Sequence, residues 1–121
     1  MRYFGLIGKS LSHSFSQKFF TAKFAADGIE ACYDLLEIDS ISKIDRLIAE
    51  KQLSGFNVTI PYKESIIPYL DDLSDEAREV GAVNCVVIKD ARKVGYNTDV
   101  MGIDATLEWL DTTDVKVLIL G

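Results

Sequence analysis

The chain has 121 residues, of which 48% are hydrophobic and 26% are charged, the length and make-up of one compact globular domain. These proportions exclude a disordered tail and a collagen-like rod. The 13 lysines and arginines against 19 aspartates and glutamates give a net charge of −6, which disfavours nucleic acid as a partner but is compatible with a small anion held by local donors.

The sequence shows no sign of a membrane or secretory location. No apolar run approaches the roughly 18 residues that a membrane span needs, and the first residues lack the basic, apolar and cleavage regions of a signal peptide. We therefore expect a cytoplasmic protein with no membrane partner. Cys32 and Cys85 fall in strand-like stretches without a CxxC pair, and the chain has one histidine, so we expect reduced core thiols and no metal site.

Short apolar runs alternate with helical stripes in the first half of the chain, which is typical of a sheet covered by helices. In chain order the pattern predicts a strand over residues 3–8, a helix over 16–27, a strand over 31–38, a helix over 41–48 and a strand over 55–58. Phe20 and Phe24 share one face of the first helix, and Ser40 can cap the second. This order predicts parallel strands.

The second half of the chain begins with breaks in the periodic pattern. Pro61 and Pro68 limit residues 62–69 to a brief helix, and Ser74 can cap a further short helix. Residues 82–89 and 93–96 have the spacing of an antiparallel hairpin at a sheet edge. The sequence thus predicts an α/β fold, namely a three-layer α/β/α domain with a mostly parallel mixed sheet and one antiparallel edge hairpin.

The last residues comprise an amphipathic helix over 100–110 and a nearly continuous apolar run over 115–121 that ends on Gly121. A buried parallel strand running into glycine is how a dinucleotide-binding unit begins. We therefore expect residues 1–114 to form one domain and residues 115–121 to be the first strand of a second, truncated domain. The alternative is an edge strand that completes a single domain.

The first polar cluster, residues 8–16, follows the first strand and leads into the first helix. Its four serines and His13 place donors at a helix N-terminus, where the dipole and unpaired N–H groups favour a negative ligand. Alternatively, one serine caps the helix, the others are solvated, and His13 is an ordinary loop residue.

The second polar cluster lies at the end of the third strand. Asn57 and Thr59 are two positions apart, so an extended chain sends both side chains to one side, and Lys63 follows a turn at Pro61. This arrangement fits a ligand site, with Lys63 as proton donor or acceptor if a dry site lowers its pKa. A strand tip in solvent would alternate in the same way, and Lys63 would then be a solvated lysine.

The third polar cluster joins Asn84 to Asp99. Asn84 interrupts an apolar stretch, and a buried amide needs partners, which either a turn or a ligand supplies. Asp99 precedes the last predicted helix, where it can act as an N-cap or can hold and polarise a lysine in an acid/base pair.

Four motifs, in this order, carry a resemblance to a known family: HSFS at 13–16, GFNVTIPYK at 55–63, GAVN at 81–84 and GYNTD at 95–99. Together they resemble the N-terminal, substrate-binding domain of shikimate dehydrogenases over nearly the whole chain. The resemblance implies reversible, NADP-dependent reduction of 3-dehydroshikimate to shikimate, a step towards chorismate and the aromatic amino acids. The implied partner is this small-molecule substrate.

The resemblance also implies roles for individual residues. The implied substrate-binding residues are Ser14, Ser16, Thr59, Lys63, Asn84 and Asp99. Ser14 and Ser16 would hold the substrate carboxylate, and the others would contact the ring, with Asn57 a weaker candidate. Lys63 and Asp99 would be the catalytic pair.

In this family a second, Rossmann domain holds NADP, and its glycine-rich loop would begin at Gly121. The cofactor-binding residues are therefore expected beyond Gly121, and the chain alone is expected to be inactive. Ser10 and Gln17 stand where the family usually has proline, which alters the start of the first helix. The alternatives are a quinate or dual quinate/shikimate enzyme of the same family and a non-catalytic ligand-sensing module. The oligomeric state, including a homodimer, stays open.

Overall fold

A computed structural model describes residues 1–11 and 15–98. Its strands are β1 (Arg2–Gly8), β2 (Ala31–Glu37), β3 (Leu53–Val58), β4 (Asp72–Leu73), β5 (Cys85–Lys89) and β6 (Arg92–Tyr96). Its α-helices are α1 (Phe15–Ala26), α2 (Ile44–Lys51) and α3 (Asp75–Val80), and short 3₁₀ helices cover Ile41–Lys43 and Ile67–Tyr69. The helix expected over 100–110, the strand expected over 115–121 and the boundary between the two expected domains lie outside the described residues.

One mixed sheet contains these six strands, in the order β2-β1-β3-β5-β6-β4. β1 runs parallel to β2 and β3, while β5 runs antiparallel to β3 and β6. The β5–β6 hairpin turns at Asp90 and Ala91, whose φ angles of 54° and 62° are those of a two-residue type I′ turn. The predicted mixed sheet and antiparallel hairpin are confirmed, and the two-residue β4 lies outside the hairpin.

Helices cover both faces of the sheet. On one face α1 packs Phe20 and Phe24 against Tyr33 of β2, and full burial of one such aromatic ring contributes roughly 1.5–3 kcal/mol. On the opposite face, called the α2 face, Ile44 of α2 and Ala77 of α3 are fully buried in a second apolar cluster. The predicted three-layer α/β/α architecture is therefore confirmed.

Two local predictions differ from the structure. Residues 62–69 form consecutive turns and a 3₁₀ helix instead of one brief helix, because Pro68 has no N–H to donate to a longer helix. Asn84 precedes β5 and does not interrupt it, because β5 begins at Cys85. The sequence gives no signal for β4, since two residues show no alternation.

None of the helices in residues 1–11 and 15–98 is long and apolar enough to cross a membrane. Over the same residues, no group of three His, Cys, Asp or Glu side chains is arranged to hold a metal ion. Cys32 and Cys85 are both free thiols, and Cys85 is the more deeply buried of the two.

The predicted cap of α3 offers a test of the fold. The Ser74 hydroxyl accepts a hydrogen bond from the Ala77 N–H, so Ser74→Ala should lower the free energy of unfolding by about 1 kcal/mol. Ser65→Ala is the matched control, because Ser65 is exposed and lies in a turn, and it should cost less than about 0.5 kcal/mol. Urea unfolding at equilibrium measures both changes, and equal stability of the two variants would contradict the capping role.

Candidate functional site

Strand directions bring the ends of four strands to one edge of the sheet, called the site edge. β1 and β3 are parallel, so both end there, at Gly8 and Val58. β5 starts at this edge because it is antiparallel to β3, and β6 returns to it at Tyr96. The described residues of the three polar clusters adjoin these strand ends, where open α/β sheets place their ligands.

Thr59 is held against the end of β1. Its N–H donates to the Ile7 carbonyl at 2.9 Å, which extends the pairing of β1 and β3 by one residue. Gly8 permits this approach, because a Cβ atom at Gly8 would lie only 2.7 Å from Thr59 Cγ2, well inside ordinary packing distance. Thr59 is thereby fixed at the site edge, where it is half-buried.

A tight turn brings Lys63 to the same edge. The Tyr62 N–H donates to the Thr59 carbonyl at 3.0 Å, which closes the turn. The Lys63 carbonyl then accepts from the Val83 N–H at 2.7 Å, so the turn is tied to the residue before Asn84. Lys63 is half-buried and takes part in interactions of its own.

Asn84 is almost fully buried, at 1% exposure, and both ends of its amide are bonded to Thr98. Its Nδ2 donates to Thr98 Oγ1 at 2.8 Å, and its Oδ1 accepts from the Thr98 N–H at 3.0 Å. Its carbonyl accepts from the Val58 N–H and its N–H donates to the Tyr96 carbonyl. Asn84 therefore fixes Thr98, the residue directly before Asp99, to the site edge.

A second buried amide, Asn57, lies on the α1 face of the sheet near the end of β3. Asn57 is 6% exposed, and its Oδ1 accepts a hydrogen bond from the Tyr33 hydroxyl at 2.6 Å. Its Nδ2 has no hydrogen-bond partner among the described residues. A buried donor without a partner costs about 1–3 kcal/mol, and such a group calls for an explanation such as a ligand or a bound water.

The Tyr33 hydroxyl also hydrogen bonds Ser16 of α1, so Ser16, Tyr33 and Asn57 form one connected group. Burial raises the pKa of Tyr33 above its usual value, the neighbouring Cys85 adds to the rise, and the bond with Ser16 opposes it. Burial also raises the pKa of the Cys85 thiol. Tyr33 therefore stays protonated at neutral pH and remains a hydrogen-bond donor to Asn57.

The structure brings Thr59, Lys63 and Asn84 together at the site edge, and it places Ser16 in the first turn of α1. Ser14 and Asp99 lie outside the described residues, and so does the expected pairing of Lys63 with Asp99.

Sequence reasoning missed two residues that organise this edge, Tyr33 and Thr98. Tyr33 lies 24 positions from Asn57 in a strand that reads as ordinary core, so no local signal marks it. Thr98 does carry a signal, because it stands within the GYNTD motif immediately before Asp99.

A separate groove of about 300 Å³ lies near the starts of β1 and β3, away from the site edge. Its lining residues are Tyr3, Asp34, Glu50, Lys51, Gln52 and Leu53. Of the residues predicted to bind substrate, none of the four that the structure describes, Ser16, Thr59, Lys63 and Asn84, lines this groove.

Comparison with known proteins identifies the family to which this chain is similar. The family model of the shikimate dehydrogenase substrate binding domain matches residues 6–86. Shikimate dehydrogenase (NADP(+)) of Staphylococcus epidermidis is 43% identical over 98% of this chain, which corresponds to 45% of that protein. The chain thus spans about half the length of the curated relatives that it matches.

Solved structures agree with the sequence match. Shikimate dehydrogenase 1 from Peptoclostridium difficile has a TM-score of 0.80 and 42% identity, over 92% of this chain and 42% of the other. Shikimate 5-dehydrogenase from Thermus thermophilus, solved in complex with NADP(H) and shikimate, has a TM-score of 0.76 and 30% identity, over 95% of this chain and 43% of the other.

The bond between Asn84 and Thr98 gives a prediction about the site edge. Thr98→Val removes the acceptor of Asn84 Nδ2 and leaves a buried donor unpaired, so the free energy of unfolding should fall by about 1–3 kcal/mol. Thr98→Ser keeps the hydroxyl and is the matched control. Urea unfolding at equilibrium compares the two variants, and a Thr98→Val protein as stable as Thr98→Ser would show that this bond does not hold the edge together.

Proposed function

Because this chain belongs to the family of shikimate dehydrogenase substrate-binding domains, we propose that it forms the substrate-binding part of an NADP-dependent shikimate dehydrogenase. The reaction is the reversible reduction of 3-dehydroshikimate to shikimate. The name of the S. epidermidis relative and the ligands of the T. thermophilus structure support this assignment. The observation that carries it is the convergence of Thr59, Lys63 and Asn84 on one edge of the sheet.

The substrate carboxylate is assigned to Ser14 and Ser16. Ser16 lies in the first turn of α1, where the helix dipole and unpaired N–H groups favour negative charge. Ser16 has a single hydroxyl proton. The Tyr33 hydroxyl donates its hydrogen bond to Asn57 Oδ1, so Ser16 is the donor in its bond with Tyr33. Binding a carboxylate therefore requires Ser16 to turn this proton towards the ligand, while Tyr33 keeps its bond to Asn57.

The ring hydroxyls are assigned to Thr59, Asn84 and Asp99, with Asn57 as a further donor. The Thr59 hydroxyl can both donate and accept. Asn84 uses one Nδ2 hydrogen for Thr98, and the second is assigned to the substrate. The buried, unpartnered Nδ2 of Asn57 is a donor that a polyhydroxylated ligand would satisfy.

Proton transfer is assigned to Lys63 and Asp99. When NADPH is bound, it supplies the hydride that reaches the carbonyl carbon. Negative charge develops on the carbonyl oxygen, and the Lys63 ammonium group stabilises this charge and donates the proton. The Asp99 carboxylate holds and polarises the lysine. In the reverse direction the neutral Lys63 amine accepts the proton of the substrate hydroxyl.

The cofactor is assigned to a second domain. Residues 1–114 form the substrate-binding domain in this proposal, and residues 115–121 are the first strand of a Rossmann domain that binds NADP beyond Gly121. The family match over residues 6–86 and the 45% coverage of the S. epidermidis relative support the division. The 121-residue chain alone would then lack turnover.

The proposal also includes a cytoplasmic location. It is supported by two free cysteines, because a reducing compartment keeps thiols from forming disulfides.

Two other functions use the same fold. A quinate or dual-specificity enzyme would have to fit the extra ring hydroxyl of quinate beside Ser14 and Thr59, and the ratio of kcat/KM for shikimate to that for quinate distinguishes it. A ligand-sensing module would need the hydroxyl-binding groups but not an acid/base pair, so the presence of both Lys63 and Asp99 favours the enzyme.

Replacement of Lys63 tests the proposed function. In the full-length protein that contains this domain, Lys63→Ala should lower kcat for shikimate oxidation by about 10²–10⁴-fold, because general acid/base catalysis is lost. The Kd of shikimate should change far less. NADPH absorbance measures kcat, and isothermal titration calorimetry measures Kd.

Lys89→Ala is the matched control for this experiment, because Lys89 is an exposed lysine at the far end of β5. Its kcat and Kd should equal those of the wild type. An unchanged kcat in Lys63→Ala would refute the catalytic role of Lys63. A full-length wild type that binds shikimate but does not oxidise it would favour the ligand-sensing module.

A further inference from the structure

We infer that Tyr33 is a positioning residue of the proposed substrate site: its hydroxyl orients the Asn57 amide so that Nδ2 is presented to a ring hydroxyl of the substrate. The inference rests on the proposed function, because it concerns the same site. Tyr33 itself does not touch the substrate in this arrangement and acts through Asn57.

Tyr33 is held in one place by its surroundings. It lies in the middle of β2, which pairs with β1 along its whole length, and it is 2% exposed. Its ring stacks on Phe20 of α1 with a centroid distance of 4.7 Å and an interplanar angle of 25°. Packing therefore sets the position of the ring, and the hydroxyl occupies a fixed point beside Asn57.

The Tyr33 hydroxyl distinguishes the two ends of the Asn57 amide. The hydroxyl donates a hydrogen bond to Asn57 Oδ1 at 2.6 Å, and its oxygen accepts a hydrogen bond from Ser16. Because Oδ1 is the amide atom that accepts from Tyr33, Nδ2 is the atom that remains for other partners. The bond from Tyr33 thus holds the amide in the orientation in which Nδ2, a buried donor without a partner in the described part of the chain, is left for a ligand.

The proposed proton donor, Lys63, is positioned by different bonds. Its carbonyl accepts from the Val83 N–H, and the neighbouring Tyr62 hydroxyl donates to the Ile38 carbonyl, with the Tyr62 side chain packed on the α2 face of the sheet. Removal of the Tyr33 hydroxyl leaves both bonds in place. Its loss should therefore weaken substrate binding and leave the chemical step nearly unchanged.

The experiment replaces Tyr33 by Phe in the full-length protein that contains this domain. Tyr33→Phe removes the hydroxyl and keeps the ring that stacks on Phe20, so the core packing that holds β2 is retained. The Kd of shikimate, measured by isothermal titration calorimetry, should rise about tenfold, and kcat should stay within about twofold of the wild type. Tyr3→Phe is the control, because it removes a tyrosine hydroxyl at the start of β1, away from the site edge, and it should leave the Kd unchanged.

A double-mutant cycle separates positioning from a purely structural role. If Tyr33 acts through Asn57, then Tyr33→Phe raises the Kd no further in a protein that already carries Asn57→Ala, whereas independent effects would multiply. A wild-type Kd in Tyr33→Phe, or multiplied effects in the double variant, overturns the inference. A wild-type protein that neither binds nor oxidises shikimate refutes the proposed function itself, and this inference with it.

Discussion

The site depends on the hydrogen-bonded register of β3, which lies between the parallel β1 and the antiparallel β5. Val58 pairs with Ile7 on one side, and Asn57 pairs with Cys85 on the other. Side chains alternate along a strand, so a slip of one residue would move Asn57 to the α2 face and separate it from Tyr33. The polar ends of the four strands meet because this register is held.

Two buried asparagines, Asn57 and Asn84, fix the positions of neighbouring side chains through hydrogen bonds. A buried amide destabilises the fold unless its polar atoms find partners. Asn84 finds them within the chain, since Thr98 bonds both ends of its amide, and it serves mainly to hold the hairpin against β3. Asn57 finds a partner for its oxygen alone, in Tyr33. The two amides therefore differ in their bonding: Asn84 is tied to Thr98 through both amide atoms and has one Nδ2 hydrogen left for the proposed substrate, whereas the Nδ2 of Asn57 has no partner among the described residues.

Much of this arrangement follows from local signals in the sequence. Apolar periodicity predicts the strands and helices, Ser74 is recognisable as a cap, and polar residues at strand ends predict that Thr59 and Lys63 share an edge. Contacts between distant residues leave no such signal. Tyr33 and Asn57 are 24 residues apart, and the pattern around a tyrosine in an apolar strand predicts only that its side chain is buried in the core. The turns over residues 62–69 also escape prediction, since closely spaced turns show no period.

A crystal structure of the full-length protein with shikimate bound tests the central claim most directly. The ligand should lie at the site edge, with its carboxylate at Ser16 and its ring hydroxyls about 2.7–3.2 Å from Thr59 Oγ1 and Asn57 Nδ2. Shikimate bound away from this edge, such as in the groove beside Tyr3 and Gln52, would contradict the account.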